Sequence, residues 1–182
     1  MRTYRENSFF KDGSGSRPLV EGTVPRGFLR ADREYYFGKK SGTTASPLTP
    51  QSSTTSAASD LYPDDVETFP IAIDKAALDR GQERYNIYCS ACHGMTGYGD
   101  DIVARRGFNK PAPASYHQER LRQAPVGHFF DVMTNGWGAM PSYASQIPVE
   151  DRWKIIAYVR ALQLSQAGAP SSSPQVTEGA HK

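Results

Sequence analysis

The chain has 182 residues, 38% of them hydrophobic, with 16 Gly, 13 Pro and two Cys. That suffices for one packed domain plus a long extension, and two cysteines exclude a disulfide framework. A net charge of +2 excludes a global field for nucleic acid or anionic lipid, and no apolar run is long enough for a transmembrane span.

Residues 1–40 carry nine Lys and Arg against five Asp and Glu, whereas 41–74 carry five acids and no Lys or Arg. Neither stretch keeps a helical or strand period. In the first, aromatic residues (Tyr4, Phe9, Phe10, Phe28, Tyr35, Tyr36, Phe37) alternate with Gly and Pro. Solvating segments are poor in aromatics, so 1–40 reads as an extended arm lying along a partner's surface; a disordered tail is the competing reading. Ser41 to Ser59 is almost wholly Ser, Thr, Ala, Pro and Gly, which buries too little apolar area to order itself. Residues 41–74 therefore read as a flexible linker. The chain opens without a charged-then-apolar export leader.

The texture changes at Asp74. Asp74 is a helix cap before Lys75, and Leu78, Gly81, Tyr85 and Tyr88 share one face of a helix running into Cys89. A second helix is predicted from Pro125 to about Asn135, with Gly136 beyond its end. A third starts near Pro148, with Glu150 and Asp151 in its first turn, and continues through Trp153, Ile155, Ile156, Val159 and Leu162. The stretch between the first two is loop-rich, with Gly94, Gly97, Gly99, Gly107, Pro111 and Pro113. A domain over 75–166 and a disordered tail over 167–182 complete the division.

The chemistry sits at Cys89-Ser90-Ala91-Cys92-His93, the C-x-x-C-H spacing that attaches a c-type haem. Two thiols three residues apart match the two vinyl groups on one edge of a porphyrin, and the next imidazole then reaches the iron. A thioredoxin-type dithiol would need a preceding strand, and a zinc site a second ligand pair; neither is present in the sequence. One motif means one haem c, bound covalently through Cys89 and Cys92, with His93 as one axial ligand of the iron.

The second axial ligand must come from Met95, Met133, Met140, His117, His128 or His181. Met95 is too close in sequence to His93 to cross the haem. Met133 falls within the second predicted helix, where Met is more often core. His181 lies in the tail, and His117 and His128 have the bland alternative of surface or hydrogen-bonded histidines. Met140 lies in Asn135-Gly136-Trp137-Gly138-Ala139-Met140-Pro141-Ser142-Tyr143, an ordered loop between helices with Pro141 fixing the backbone after it. Met140 is therefore the expected ligand. His/Met ligation raises the potential and leaves no open coordination position, which favours electron transfer over oxygen chemistry. No catalytic site of its own is expected. A carbonyl from the stretch with Pro111 and Pro113 is expected to accept the free N–H of His93.

Residues 75–166 resemble a class I cytochrome c domain. The resemblance rests on the helix with Gly81 and Tyr85 leading into the motif, the Gly138-Ala139-Met140-Pro141-Ser142-Tyr143 loop, and the helix with Trp153, Tyr158 and Val159. It implies an all-α fold, three to five helices around one covalent haem, preceded here by the long arm. The segments Arg5-Glu6-Asn7-Ser8-Phe9-Phe10 and Ser16 to Gly27, with Tyr85 to Met95, resemble the monohaem cytochrome subunit of bacterial alternative complex III. That resemblance implies a peripheral subunit on the periplasmic side of the inner membrane. Its partners would be the other subunits of a membrane quinol oxidoreductase, and it would pass electrons to a terminal oxidase or a soluble carrier. Some members of that family carry a lipid on an N-terminal Cys; here no Cys precedes Cys89. A freely diffusing periplasmic cytochrome is the alternative.

Overall fold

A computed structural model describes residues 8–15, 20–26, 29–42, 62–107 and 112–167. Much of the expected linker (43–61), most of the tail (168–182) and parts of the arm (1–7, 16–19, 27–28) lie outside the described residues, as do Pro111 and His181. The described residues are all-α, with isolated bridges such as Lys39 to Asp65 and Trp137 to Met140 and no strand. The helices are α1 (Arg33–Phe37), α2 (Lys75–Tyr88), α3 (Ser90–His93), α4 (Ile102–Arg105), α5 (Glu119–Gln123), α6 (Val126–Asn135) and α7 (Val149–Ala167).

The three helices predicted from the sequence are α2, α6 and α7, with bounds within a residue or two of those expected. Asp74 caps α2, its side chain accepting from the Ala77 N–H at 2.7 Å. Pro125 sits at the N-cap of α6, and Gly136, at a φ of +83°, ends it. The short helices α3, α4 and α5 have no periodic signature, because four or five residues complete barely one turn.

The frame of the domain is the crossing of α2 and α7. At the crossing stands Gly81: a Cβ built there would lie 2.0 Å from the Lys154 carbonyl oxygen. Only hydrogen fits, so the backbones meet directly. Around this contact Tyr85, Trp153, Ile155 and Ile156 are fully buried, and Trp153 stacks on Phe130 of α6 at 4.3 Å. Arg80 clamps Asp151 at the start of α7 with two bonds, Nε to Oδ1 at 3.1 Å and Nη2 to Oδ2 at 2.9 Å. A bidentate pair of this kind also fixes the rotation of α7 about its axis.

The chain divides into two compact units, Met1–Ala31 and Asp32–Lys182. Within the first, Phe9 and Phe10 meet edge to face at 5.3 Å, and turns close from Gly13 to Phe10 and from Thr23 to Val20. Phe9, Val20, Val24 and Leu29 are exposed.

The second unit contains more than the helices from Asp74 onward. Asp32 caps α1, Gly38 ends it at a φ of +68°, and Trp153 Nε1 donates to the Tyr35 carbonyl at 2.8 Å. The Val66 N–H donates to Gly38 O and the Gly127 N–H to Val66 O. A Cβ on Gly127 would lie 2.3 Å from Gly38 O, so three backbone segments are laid against one another at the start of α6. Lys39 binds Asp65 at 2.5 Å and Asp131 of α6 at 3.3 Å. Residues 32–40, which composition groups with the arm, and 62–71, grouped with the linker, thus pack on the helical unit.

Candidate haem-binding site

The C-x-x-C-H stretch is built as the continuation of α2. The Cys89 N–H donates to Tyr85 O at 2.8 Å, and α3 then carries the motif round one turn, with Ser90 Oγ bonded to Asn86 O. Gly94, at a φ of +77°, stops α3. Buried Tyr85 donates its hydroxyl to Gly94 O at 2.7 Å, bracing the end of the motif against its beginning. Burial, followed by the neighbouring Cys92, pushes the Cys89 thiol up to about 12. Cys89 is therefore a protonated thiol at neutral pH, unlike the depressed thiolate of a redox dithiol.

His93 is oriented by the loop that follows. Its Nδ1 lies 3.3 Å from the Ala114 carbonyl oxygen, which can only accept, so Nδ1 carries the hydrogen and Nε2 keeps the free lone pair. Burial lowers the His93 pKa, against the raising effect of that bond, so the ring is neutral and in its ligating form. The accepting carbonyl belongs to the residue after Pro113, within the stretch the sequence pointed to. Its placement depends on Gly99, where a Cβ would sit 2.2 Å from Pro113 O.

Cys89, Cys92 and His93 open onto a cleft of about 350 Å³, and Met140 lines the same cleft. Its lining is mainly apolar, including Leu121, Phe129, Val132, Ile156 and Val159. Met140 is carried by a tight turn closed at both ends, the Trp137 N–H donating to Met140 O and the Met140 N–H to Trp137 O, each at 2.9 Å. Gly136 permits the turn, since a Cβ there would lie 2.7 Å from Met140 O. Ser142 Oγ ties the following residues to Thr134 O, and the Tyr143 N–H to Met133 O.

The structure thus brings Cys89, Cys92, His93 and Met140 to one apolar cleft, the lining a flat porphyrin needs, with thiols, a neutral imidazole and a thioether as donors. Met133 and His128 line it too, both buried. His128 lies against the Tyr62 ring at 4.2 Å, and burial, with nearby Arg120, pushes it down to about 4. His117 is instead committed through Nε2 to Thr96 O at 2.7 Å, and Met95 is exposed away from the cleft. Sequence reasoning did not identify Tyr116, whose ring stacks on His93 at 4.6 Å and 17°. Nothing in a lone aromatic between Ser115 and His117 signals that contact.

A family model described as cytochrome c oxidase, cbb3-type, subunit III, matches residues 76–159. The chain carries a cytochrome c domain. Such a domain holds covalently bound haem c and transfers electrons through it. Among solved structures, the chain is similar to one from the Kuenenia stuttgartiensis reducing HAO-like protein complex, at 22% identity and a TM-score of 0.44. That similarity covers 55% of this chain and only 50% of that one. It is also similar to cytochrome cL from Hyphomicrobium denitrificans, at 20% identity and a TM-score of 0.39, covering 69% of this chain and 71% of that one. No curated protein matches the sequence. Among the described residues, no helix is long and apolar enough to cross a membrane.

Proposed function

We propose that this chain is the monohaem subunit of a membrane quinol oxidoreductase of the alternative complex III type. It would sit peripherally on the periplasmic side of a bacterial inner membrane and pass single electrons to a terminal oxidase or soluble carrier. Haem c supplies the one-electron couple between ferric and ferrous iron. Cys89 and Cys92 would hold it by thioether bonds, and His93 and Met140 would supply the iron's protein ligands. The convergence of these four residues on one apolar cleft is the observation that carries the electron-transfer part of this reading.

Each residue has a defined part. The contact from His93 Nδ1 to Ala114 O leaves Nε2 as the nitrogen free to bind the iron and would raise the basicity of the ring. The closed turn at Trp137 and Met140 holds the thioether in place. The apolar lining excludes water, which reduces the solvent reorganisation that accompanies each electron transfer. Membership of a complex is supported by the resemblance of residues 5–10 and 16–27 to that family and by the exposed Phe9, Val20, Val24 and Leu29 of the N-terminal unit.

Two experiments test the two halves of the proposal. Met140→Ala is expected to abolish the weak far-red band of a sulfur-ligated ferric haem and to lower the potential, while the haem stays attached; an unchanged spectrum eliminates Met140. For membership, mildly solubilised membranes are run on a native gel, stained for haem, and this chain is located by mass spectrometry. Migration in a large assembly with other haem and iron–sulfur subunits supports the subunit reading. Migration alone, near the mass of the chain, replaces it with a diffusing carrier.

A further inference from the structure

The cleft contains one aromatic contact that neither the attachment motif nor the axial ligands require. Tyr116 lies with its ring stacked on the His93 imidazole, centroids 4.6 Å apart and planes within 17°. We propose that Tyr116 is a positioning residue which fixes the rotation of the axial imidazole about its bond to the iron. The inference rests on His93 being the axial ligand.

The need for such a device follows from the geometry of His93. Its hydrogen bond to Ala114 O is 3.3 Å long, beyond the usual range for N–H donors, so by itself it restrains the ring weakly. A flat neighbour lying parallel to the ring blocks rotation out of the shared plane. Tyr116 can do this because it is itself held from two sides. Its N–H donates to Gly97 O at 2.9 Å, and its carbonyl accepts from Gln163 Nε2 of α7 at 2.7 Å. Gly97 leaves room for the ring, since a Cβ there would lie 3.0 Å from Tyr116 Cδ2. Phe129 of α6 and Tyr85 of α2 meet the ring at 6.2 and 6.4 Å. The orientation of the imidazole is thereby referred to all three long helices.

Rotation of an axial imidazole decides which iron d orbital carries the unpaired electron in the ferric state. It is read directly from the pattern of hyperfine-shifted haem methyl protons and from the electron paramagnetic resonance g values. A merely structural role for Tyr116 would change stability and leave both unmoved.

The experiment uses the haem-loaded, full-length protein. Tyr116→Phe keeps the stack and is expected to keep the methyl pattern and g values. Tyr116→Leu fills similar space without a flat face and is expected to reorder the methyl shifts and move the g values. Unchanged spectra in the Leu variant overturn the proposal, and so do equal changes in both variants. Should the Leu variant not fold, the unsubstituted ferrous protein decides. Nuclear Overhauser contacts between the Tyr116 and His93 ring protons are expected, and their absence overturns the proposal. Failure of His93 to ligate would appear separately, as an imidazole-free spectrum of the unsubstituted protein.

Discussion

Two segments bring the proposed haem-binding residues to the same cleft, and they are built by different means. The segment bearing Cys89, Cys92 and His93 continues a helix whose backbone meets α7 at Gly81, and Tyr85 braces it from within the core. The segment bearing Met140 is a loop. Two backbone bonds close its turn, and Trp137, Gly138, Ala139 and Pro141 around it are exposed. The His93 segment inherits the rigidity of the whole domain, whereas the Met140 segment keeps only what its own turn supplies. Damage to the first should therefore unfold the protein, and damage to the second should loosen one ligand.

The largest expected effect is at the helix crossing. Gly81→Ala improves helix propensity by about 1 kcal/mol but drives a methyl group into the Lys154 carbonyl. The helices must separate, at a cost of about 3 kcal/mol or more. Denaturant unfolding of the holoprotein should show this as a lowered midpoint. A stability loss under 1 kcal/mol would mean that the crossing is not the rigid frame described.

A comparable effect is expected from pH, through the helix that supports the Met140 loop. His128 of α6 is pushed down from 6.5 to about 4, first by burial and then by Arg120 and Lys39, with Asp131 opposing. The unfolded chain therefore binds a proton between these values while the folded chain does not. Stability is complete above pH 6.5 and falls as the pH drops toward 4, by up to about 3 kcal/mol. Asp65, whose carboxyl is raised chiefly by burial, contributes in the opposite sense. The readout is accordingly the difference between the native protein and His128→Phe at pH 7 and pH 4.5. Parallel stability curves for the two would remove His128 from the account.

Residues 32–42 join the comparison through Lys39. The ammonium lies between Asp65, whose side chain is 5% exposed, and Asp131, which is 35% exposed. Lys39→Met leaves the Asp65 carboxylate buried without its cation. Because Lys39 and Asp131 are partly solvated, the cost is reduced from that of a sealed ion pair to about 2 kcal/mol. Urea unfolding monitored by Trp fluorescence measures it, since Trp153 donates to Tyr35 in the same segment. No change in midpoint would mean that the segment adds nothing to the domain.

The sequence was informative wherever local chemistry repeats or is unique. The periods of α2 and α7, the cap at Asp74 and the Pro125 and Gly136 that bound α6 are written in successive residues. The Cys89–His93 motif and the Met140 loop stood out for the same reason, and both line the one cleft. The contacts of Asp32 to Gly42 were not, because the bond between Trp153 and Tyr35 spans 118 residues and leaves no local pattern. Composition instead assigned residues up to 40 to an extended arm. Tyr116 was hidden similarly: its partners Gly97 and Gln163 lie far apart in the chain, and only folding sets its ring on His93.

The smallest stability effect and the sharpest local one are expected at Gly136. Its φ of +83° is costly for any residue with a Cβ, and an added methyl would lie 2.7 Å from Met140 O. Gly136→Ala must reopen the turn that pairs Trp137 with Met140. The α6–α7 loop can absorb the movement because its outer residues face solvent, so the loss is expected to be about 1–2 kcal/mol, below that of Gly81→Ala. Ligation should respond more strongly than stability. The far-red band should weaken and exogenous imidazole or cyanide should bind faster, while His93 and the thioether bonds remain intact. A variant that unfolds as readily as Gly81→Ala would show the loop to be part of the frame. One that loses no ligand strength would show that the turn does not hold the thioether. Between those outcomes, a Met140 that loosens while the domain stands would establish that the two segments are mechanically separate.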